Sequence, residues 1–365
     1  MAHGGPITAV LAGVLALATA GSETAASPRP WMPPRASNGR PDLTGVWTNA
    51  SITQLTRPPG VKLAVSKPEA DKLARDNPFM KLIESEEGPS KIDDNLLKDE
   101  NSDRGYNAFW LDPGRSLANV KGEFRTSWIV EPASGQAPFS EAGRQMQAKA
   151  RAERTAHLYA GPEYLPLPER CLIGFSGAGG PGMLNTIYNN NYQIVQTPDA
   201  IVIDVEMVHD ARVIPLYAGR AQALAHHKPA AVVQWLGDSV GWWEGDTLVI
   251  DTVNVNPQQA RQGPVPLSPR GHVTERLSRA SQDQIFYEFL VDDPVYYTGT
   301  WRAEESLNAR KEGVYEYACH EGNYAMAGIL GGARRQEAQG IKPSQGPGIF
   351  GTPIPEKTKA GGGGE

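Results

Sequence analysis

Residues 192–206 read Tyr-Gln-Ile-Val-Gln-Thr-Pro-Asp-Ala-Ile-Val-Ile-Asp-Val-Glu. Two β-prone runs of period two, Tyr192 to Gln196 and Ala200 to Glu206, flank Thr197-Pro198-Asp199, which reads as a hairpin turn. The pattern repeats outward along the chain. Gly241 to Trp243 and Thr247 to Asp251 flank Glu244-Gly245-Asp246, and His272 to Arg279, Gln284 to Val291 and Gly299 to Glu304 follow, with Ser281-Gln282-Asp283 as a turn. Short strands at a spacing of about ten residues predict an antiparallel sandwich or barrel. A parallel α/β sheet would need a helix between these strands, and the spacing leaves no room for one.

Upstream, Leu43-Thr-Gly-Val-Trp47 reads as the first strand of the same sheet. Its Gly-x-Trp resembles the first-strand signature of lipocalin-type barrels. The expected fold is therefore mainly β: an antiparallel lipocalin-like barrel or sandwich, with a helical insertion at about 131–160 lying outside it. Two segments have helical character. Lys67 to Arg75 carries Pro68 and Glu69 in its first turn, and Phe139 to Leu158 has Ser140 as N-cap ahead of good helix formers.

The chain has 365 residues and a formal net charge of −6, so no basic surface points to nucleic acid. Ile7 to Gly21 is an apolar run followed by Thr24-Ala25-Ala26, so residues 1–26 read as a secretory signal peptide. The run is shorter than the ~20 apolar residues a membrane span needs. Residues 27–40 form a Pro-rich lead-in, 41–335 a single domain, and 336–365 a low-complexity tail expected to be disordered. The expected location is periplasmic or secreted, with no membrane span after signal removal. Two cysteines in an exported chain, Cys171 and Cys319, predict a disulfide.

Several motifs together resemble a family of exported bacterial proteins without an assigned reaction. They are Pro41-Asp-Leu-Thr-Gly-Val-Trp47, Arg125-Thr-Ser-Trp-Ile-Val130, Asn189-Asn-Asn-Tyr-Gln-Ile-Val195, Met207-Val-His-Asp-Ala-Arg212, Gly241-Trp-Trp-Glu-Gly-Asp-Thr-Leu-Val249 and Tyr315-Glu-Tyr-Ala-Cys-His-Glu-Gly-Asn-Tyr324. The resemblance spans about residues 40–335. It implies export and a single folding unit, and supplies no catalytic residues.

Candidate chemistry therefore comes from the residues themselves. His209 lies in a cluster with Glu206, Asp210 and Arg212, and His320 lies beside Glu321 in a turn next to Cys319. An imidazole next to a carboxylate is the arrangement used for general acid and base work, so His209, His320, Asp210, Glu321 and Glu206 are the catalytic candidates. Arg212, Asn191, Trp243 and Asn323 are the candidates for contacting a small-molecule ligand or substrate. The other histidines read as solvated: His226-His227 in an Ala-rich stretch, and His272 in a turn at a strand start. Asp251 reads as a strand or turn residue.

Gly177-Ala-Gly-Gly-Pro-Gly182 matches a dinucleotide fingerprint by letter but lacks its strand and helix, and reads as a flexible loop near a barrel mouth. No Gly-x-Ser-x-Gly elbow and no zinc-type spacing is present, so no cofactor is predicted, with a single divalent metal as the alternative. The expected function is an exported enzyme acting on a small organic molecule by His/carboxylate acid–base chemistry, of hydrolase or lyase type. Two alternatives stand beside it: a lipocalin-like protein that binds a small ligand without catalysis, and a metal-dependent hydrolase or oxygenase.

Overall fold

The computed structural model describes Met1 and residues 31–81 and 111–340, apart from Phe79 and Gly322. The expected signal peptide and most of the expected tail lie outside the described residues. The chain divides into two units, Met1–Met32 and Pro33–Glu365, and the description below concerns the second.

Nine strands close into a barrel: β1 (Gly45–Thr48), β6 (Asn191–Gln196), β7 (Ala200–Val205), β8 (Asp210–Tyr217), β9 (Asp238–Glu244), β10 (Thr247–Val253), β11 (His272–Ser281), β12 (Gln284–Asp292) and β13 (Trp301–Arg310). The predicted hairpins form as β6–β7, β9–β10 and β11–β12. Closure comes from the length of β13. One end pairs with β1, Trp47 opposite Ala309, while the other holds β5 (Ile129–Glu131), Ala303 opposite Ile129. Glu131, where the helical insertion was expected to begin, is thus the last residue of a strand. A separate small sheet joins β2 (Ala64–Val65), β4 (Glu123–Arg125) and β3 (Asn119–Val120).

One pair departs from the antiparallel expectation: β8 and β9 run parallel, Leu216 opposite Gly241. A parallel pair needs a crossover, and residues 218–237 supply it, with a short helix, α3 (Arg220–Leu224). Among the described residues two longer helices precede it, α1 (Lys67–Asp76) and α2 (Glu141–Ala156), and α4 (Tyr324–Ala338) follows the barrel. Because α4 reaches Ala338, the expected disordered tail does not begin at 336. The α2 N-terminus is held by Ser140, which accepts from the Gly143 amide at 2.8 Å and donates to the Val295 carbonyl at 2.8 Å.

Period two places one face of every strand in the core. Ile201, Ile203 and Val205 are fully buried on β7, as are Leu248 and Ile250 on β10, and Tyr287 and Phe289 on β12. The inward face also carries charge. Arg212 on β8 donates to Glu275 on β11 at 2.9 Å, and Tyr287 donates to the same carboxylate at 2.7 Å. The segment read from sequence as a flexible loop fills this interior instead, since residues 178–184 are buried. Its backbone occupies the polar groups of the barrel: the Met183 amide donates to the Tyr287 hydroxyl at 3.0 Å, Asn49 donates to the Met183 carbonyl at 3.0 Å, and the Tyr192 hydroxyl donates to the Ala178 carbonyl at 3.2 Å. Gly182 has φ +75° and lies against the Phe289 ring, so backbone passes where a side chain would collide.

Cys171 and Cys319 form the disulfide expected from their number. Such a bond belongs to an oxidising compartment. Among the described residues no helix is long and apolar enough to cross a membrane.

Candidate functional site

Asn191, Glu206, His209 and Asp210 lie together where β6 begins and the chain passes from β7 to β8, and most are engaged with the chain itself, whereas Trp243 lies near the far end of β9, toward the Tyr217 end of β8. Between β7 and β8 the backbone turns through positive φ at Val208 (63°) and His209 (51°), so Glu206 and His209 do not share a regular strand. Glu206 is buried and fully satisfied: it accepts from Asn189 at 2.8 Å, from Asn191 at 2.9 Å, and from the Tyr315 amide at 3.0 Å. Nε2 of His209 accepts from the Tyr317 amide at 3.1 Å. An accepting Nε2 is unprotonated, so this histidine anchors the segment leading to Cys319 as the Nδ1–H tautomer.

His320 and Glu321 are exposed, and no hydrogen bond among the described residues joins His209 to His320. Asn323 caps α4, accepting from the Met326 amide at 3.4 Å, and donates to the Glu169 carbonyl at 3.3 Å. Asn191 accepts from Arg310 at 2.8 Å. Arg212 is inside the barrel on Glu275, Ser239 and Thr252, out of reach of solvent. Trp243 packs on the interior cluster, while its neighbour Trp242 faces outward. Asp210 accepts from the Gly174 amide at 2.8 Å, and burial pushes its carboxyl up to about 6.

A second group of ionisable residues assembles on the outer face of β9 and β10, and its two histidines are ones that read as solvated in the sequence. The crossover is seated there by an apolar patch in which Ala223 of α3 packs on Val240, Trp242 and Val249. The His226 ring stacks on Tyr217 at 4.4 Å, and the next residue, His227, enters between two carboxylates. Its Nδ1 is 2.9 Å from Asp238 and its Nε2 is 2.9 Å from Asp251. The backbone around it is fixed, because the Lys228 amide donates to Asp238 at 2.8 Å and Asn254 donates to the Lys228 carbonyl at 3.0 Å. The other oxygen of Asp251 is bonded to Nε2 of His272 at the start of β11.

The result is a line of four groups, Asp238–His227–Asp251–His272. Burial by itself would lower the pKa of His227, but its hydrogen bonds to Asp251 and Asp238 outweigh it and raise the imidazole above its usual value. The Asp251 hydrogen bond, opposed by burial, likewise raises His272. Burial would raise both carboxyls, yet their hydrogen bonds hold Asp238 and Asp251 below the ordinary carboxylate value. Ionised carboxylates only accept, so His227, facing one on each nitrogen, carries both protons and is an imidazolium. His272 differs. Its side chain is 36% exposed, and among the described residues its Nδ1 has no hydrogen-bond partner.

His227, Lys228, Asp251, Arg270 and His272 line an open cleft of about 440 Å³, with Leu224, Val253 and Pro269 as its apolar wall. A second cleft of about 550 Å³ between α2 and residues 258–262 holds a stacked His157–Tyr164 pair at 4.7 Å, and among the described residues no imidazole–carboxylate bond is found there. Among the described residues no three His, Cys, Asp or Glu side chains are arranged to hold a metal ion.

The sequence did hold one clue to the outer cluster. Asp251 is an ionisable residue inside the apolar run Thr247-Leu-Val-Ile-Asp-Thr-Val253, and is 2% exposed. A nearly buried carboxylate requires partners. Nothing in the local pattern says that the crossover delivers them. No protein-family model, curated protein or solved structure matches this chain.

Proposed function

We propose that the protein is an exported acid–base enzyme, of hydrolase or lyase type, that acts on a small organic molecule in the cleft at His272. The observation that carries this reading is the pairing of His272 Nε2 with the buried Asp251 carboxylate, which leaves Nδ1 as the nitrogen available to a bound molecule. A carboxylate behind an imidazole sets its tautomer and stabilises the imidazolium formed when the ring takes a proton. His227, gripped at both nitrogens, keeps Asp251 from turning away. It is a positioning residue, because neither of its nitrogens is available to a substrate.

Two proton-transfer sequences fit these groups. In hydrolysis, Nδ1 of His272 takes a proton from water as the water oxygen attacks an acyl carbon, then returns it to the departing group. In elimination, Nδ1 takes a proton from the carbon next to the one that bears the leaving group. The C–H electron pair becomes the double bond, and the group departs with its own bonding pair. Export is supported by the disulfide, which forms and persists in oxidising compartments.

The test is a screen of small esters, amides and β-substituted acids with the wild type and with His272→Gln and Asp251→Asn. Loss of a general base lowers turnover by about 10²–10⁴-fold, and His272→Gln is expected to do so while circular dichroism and thermal unfolding stay close to wild type. Turnover of an accepted substrate at the wild-type rate by His272→Gln would refute the assignment.

A further inference from the structure

We infer that the cleft at His272 takes a small organic carboxylate, an apolar body carrying one anionic group that pairs with the guanidinium of Arg270. This rests on the reading of the cleft as the working site and adds the class of molecule it accepts.

The charges in the cleft and directly behind its lining lead to that class. Asp238 and Asp251 carry two negative charges, and His227 and Lys228, both paired with them, carry two positive ones. Every one of these groups is already bonded within the chain. Asp238 accepts from His227 and from the Lys228 amide, Asp251 accepts from both histidines, and the Lys228 ammonium donates to Gln234 at 2.9 Å. Asp292, the cross-strand partner of His272, acts on that imidazole and offsets its positive charge. Arg270 is left over. Among the described residues no carboxylate pairs with its guanidinium, in a chain whose net charge is −6.

Arg270 is also held in place by its backbone. It occupies a tight turn, Ser268-Pro-Arg-Gly271, closed by the Gly271 amide on the Ser268 carbonyl at 2.8 Å. The turn is fastened to Asp293, which is 1% exposed and accepts from the Ser268 amide at 2.5 Å and the Ser268 hydroxyl at 3.1 Å. That hydroxyl in turn accepts from the Arg270 amide at 3.1 Å. A buried carboxylate with four donors from residues 268–296 thus fixes the turn that presents Arg270 beside His272. A guanidinium on a rigid base matches the planar fork of a carboxylate better than a flexible ammonium does. The rest of the wall, Leu224, Val253 and Pro269, is apolar and suits a hydrocarbon or aromatic body. A cationic ligand would meet the Asp251 carboxylate, whose oxygens are both taken by His227 and His272, next to a guanidinium that no carboxylate pairs among the described residues.

The experiment uses the full chain and three probes of one shape: benzoate, benzamide and benzylammonium. Binding is followed by calorimetry and by the imidazole signals of His272 in nuclear magnetic resonance spectra. Benzoate is expected to bind about tenfold or more tightly than either control and to shift the His272 signals. Arg270→Gln is expected to remove that preference, and Lys228→Gln to reduce it less. Equal binding of benzamide, tighter binding of benzylammonium, no binding of benzoate at millimolar concentration, or an unchanged preference in Arg270→Gln would each overturn the inference. The turnover of His272→Gln reports separately on the acid–base reading: a benzoate site with wild-type turnover in that variant leaves a carboxylate-binding cleft without the catalysis.

Discussion

Nε2 of His227 lies 2.9 Å from a carboxylate oxygen of Asp251, a residue 24 positions further along the chain. The two meet because β8 and β9 are parallel. A parallel pair obliges the chain to cross the outside of the barrel, and the crossover lays its histidine on the outward face of β10. The cluster is thus a consequence of one reversed strand direction.

That contact makes stability depend on pH. The raised histidines contribute stability that is complete below their ordinary value and is lost as pH rises through their folded value. The lowered aspartates contribute stability that is present above their ordinary value and is lost as pH falls through their folded value. The cluster is fully effective between about pH 4 and about pH 6.5, the unperturbed carboxylate and imidazole values. The thermal midpoint is expected to fall between pH 6 and pH 9, and the fall to shrink in Asp251→Asn. Parallel wild-type and variant profiles across that range would show that the contact contributes nothing.

Glu305 has the opposite character. It is fully buried in the barrel, burial raises its carboxyl well above the ordinary value, and among the described residues only Asn49 donates to it, at 3.4 Å. The folded protein therefore binds a proton that the unfolded chain releases, and stability falls by about 1.4 kcal/mol per pH unit above the unfolded value. Glu305→Gln, which needs no proton, should be more stable than wild type at pH 7 and should lose this slope. Urea unfolding at pH 5, 6 and 7 measures it.

The disulfide closes a loop with a sequence separation of 148 and pins the segment whose Tyr315 and Tyr317 amides bond Glu206 and His209. Replacing both cysteines by serine is expected to cost about 2–5 kcal/mol. Hydrogen exchange at the Tyr315 and Tyr317 amides should rise before exchange at β11 and β12. Unchanged protection at those two amides would mean that Glu206 and His209 hold the segment unaided.

Gly182 has positive φ, and a Cβ there would lie 3.1 Å from the Phe289 ring. Gly182→Ala combines a left-handed backbone with crowding in a packed interior, and should destabilise by about 2–4 kcal/mol. A loss below 1 kcal/mol in urea would show that residues 178–184 yield easily and do not fill the barrel rigidly.

Much of the architecture could be read in the chain because strand alternation is local. Whether Ile201, Ile203 and Val205 face inward follows from the pleat, and the Thr197-Pro198-Asp199 turn joins neighbours. The helices at Lys67–Asp76 and Glu141–Ala156 were legible for the same reason, since caps and formers act within a few residues. The pairing of Cys171 with Cys319 needed only a count of two.

Other features depended on groups far apart in the chain. Residues 178–184 look like a flexible loop by composition, but they are buried because Tyr192, Tyr287 and Asn49 offer them hydrogen bonds inside the barrel. His227 and His272 look solvated in their own neighbourhoods, and only the crossover and the β10–β11 pairing bring them to Asp251. Sequence by itself determined the strands of the β6–β7, β9–β10 and β11–β12 hairpins, which face of each is apolar, and that two cysteines were available to pair, because these follow from backbone geometry and short-range chemistry, whereas β2 to β5 and β8 carried no such signal. Tertiary structure alone decided that β13 closes on β1, that β8 and β9 run parallel, and that a carboxylate on the outer face acquires two histidines. Those outcomes are set by the burial of distant surfaces against one another, which no window of neighbouring residues contains.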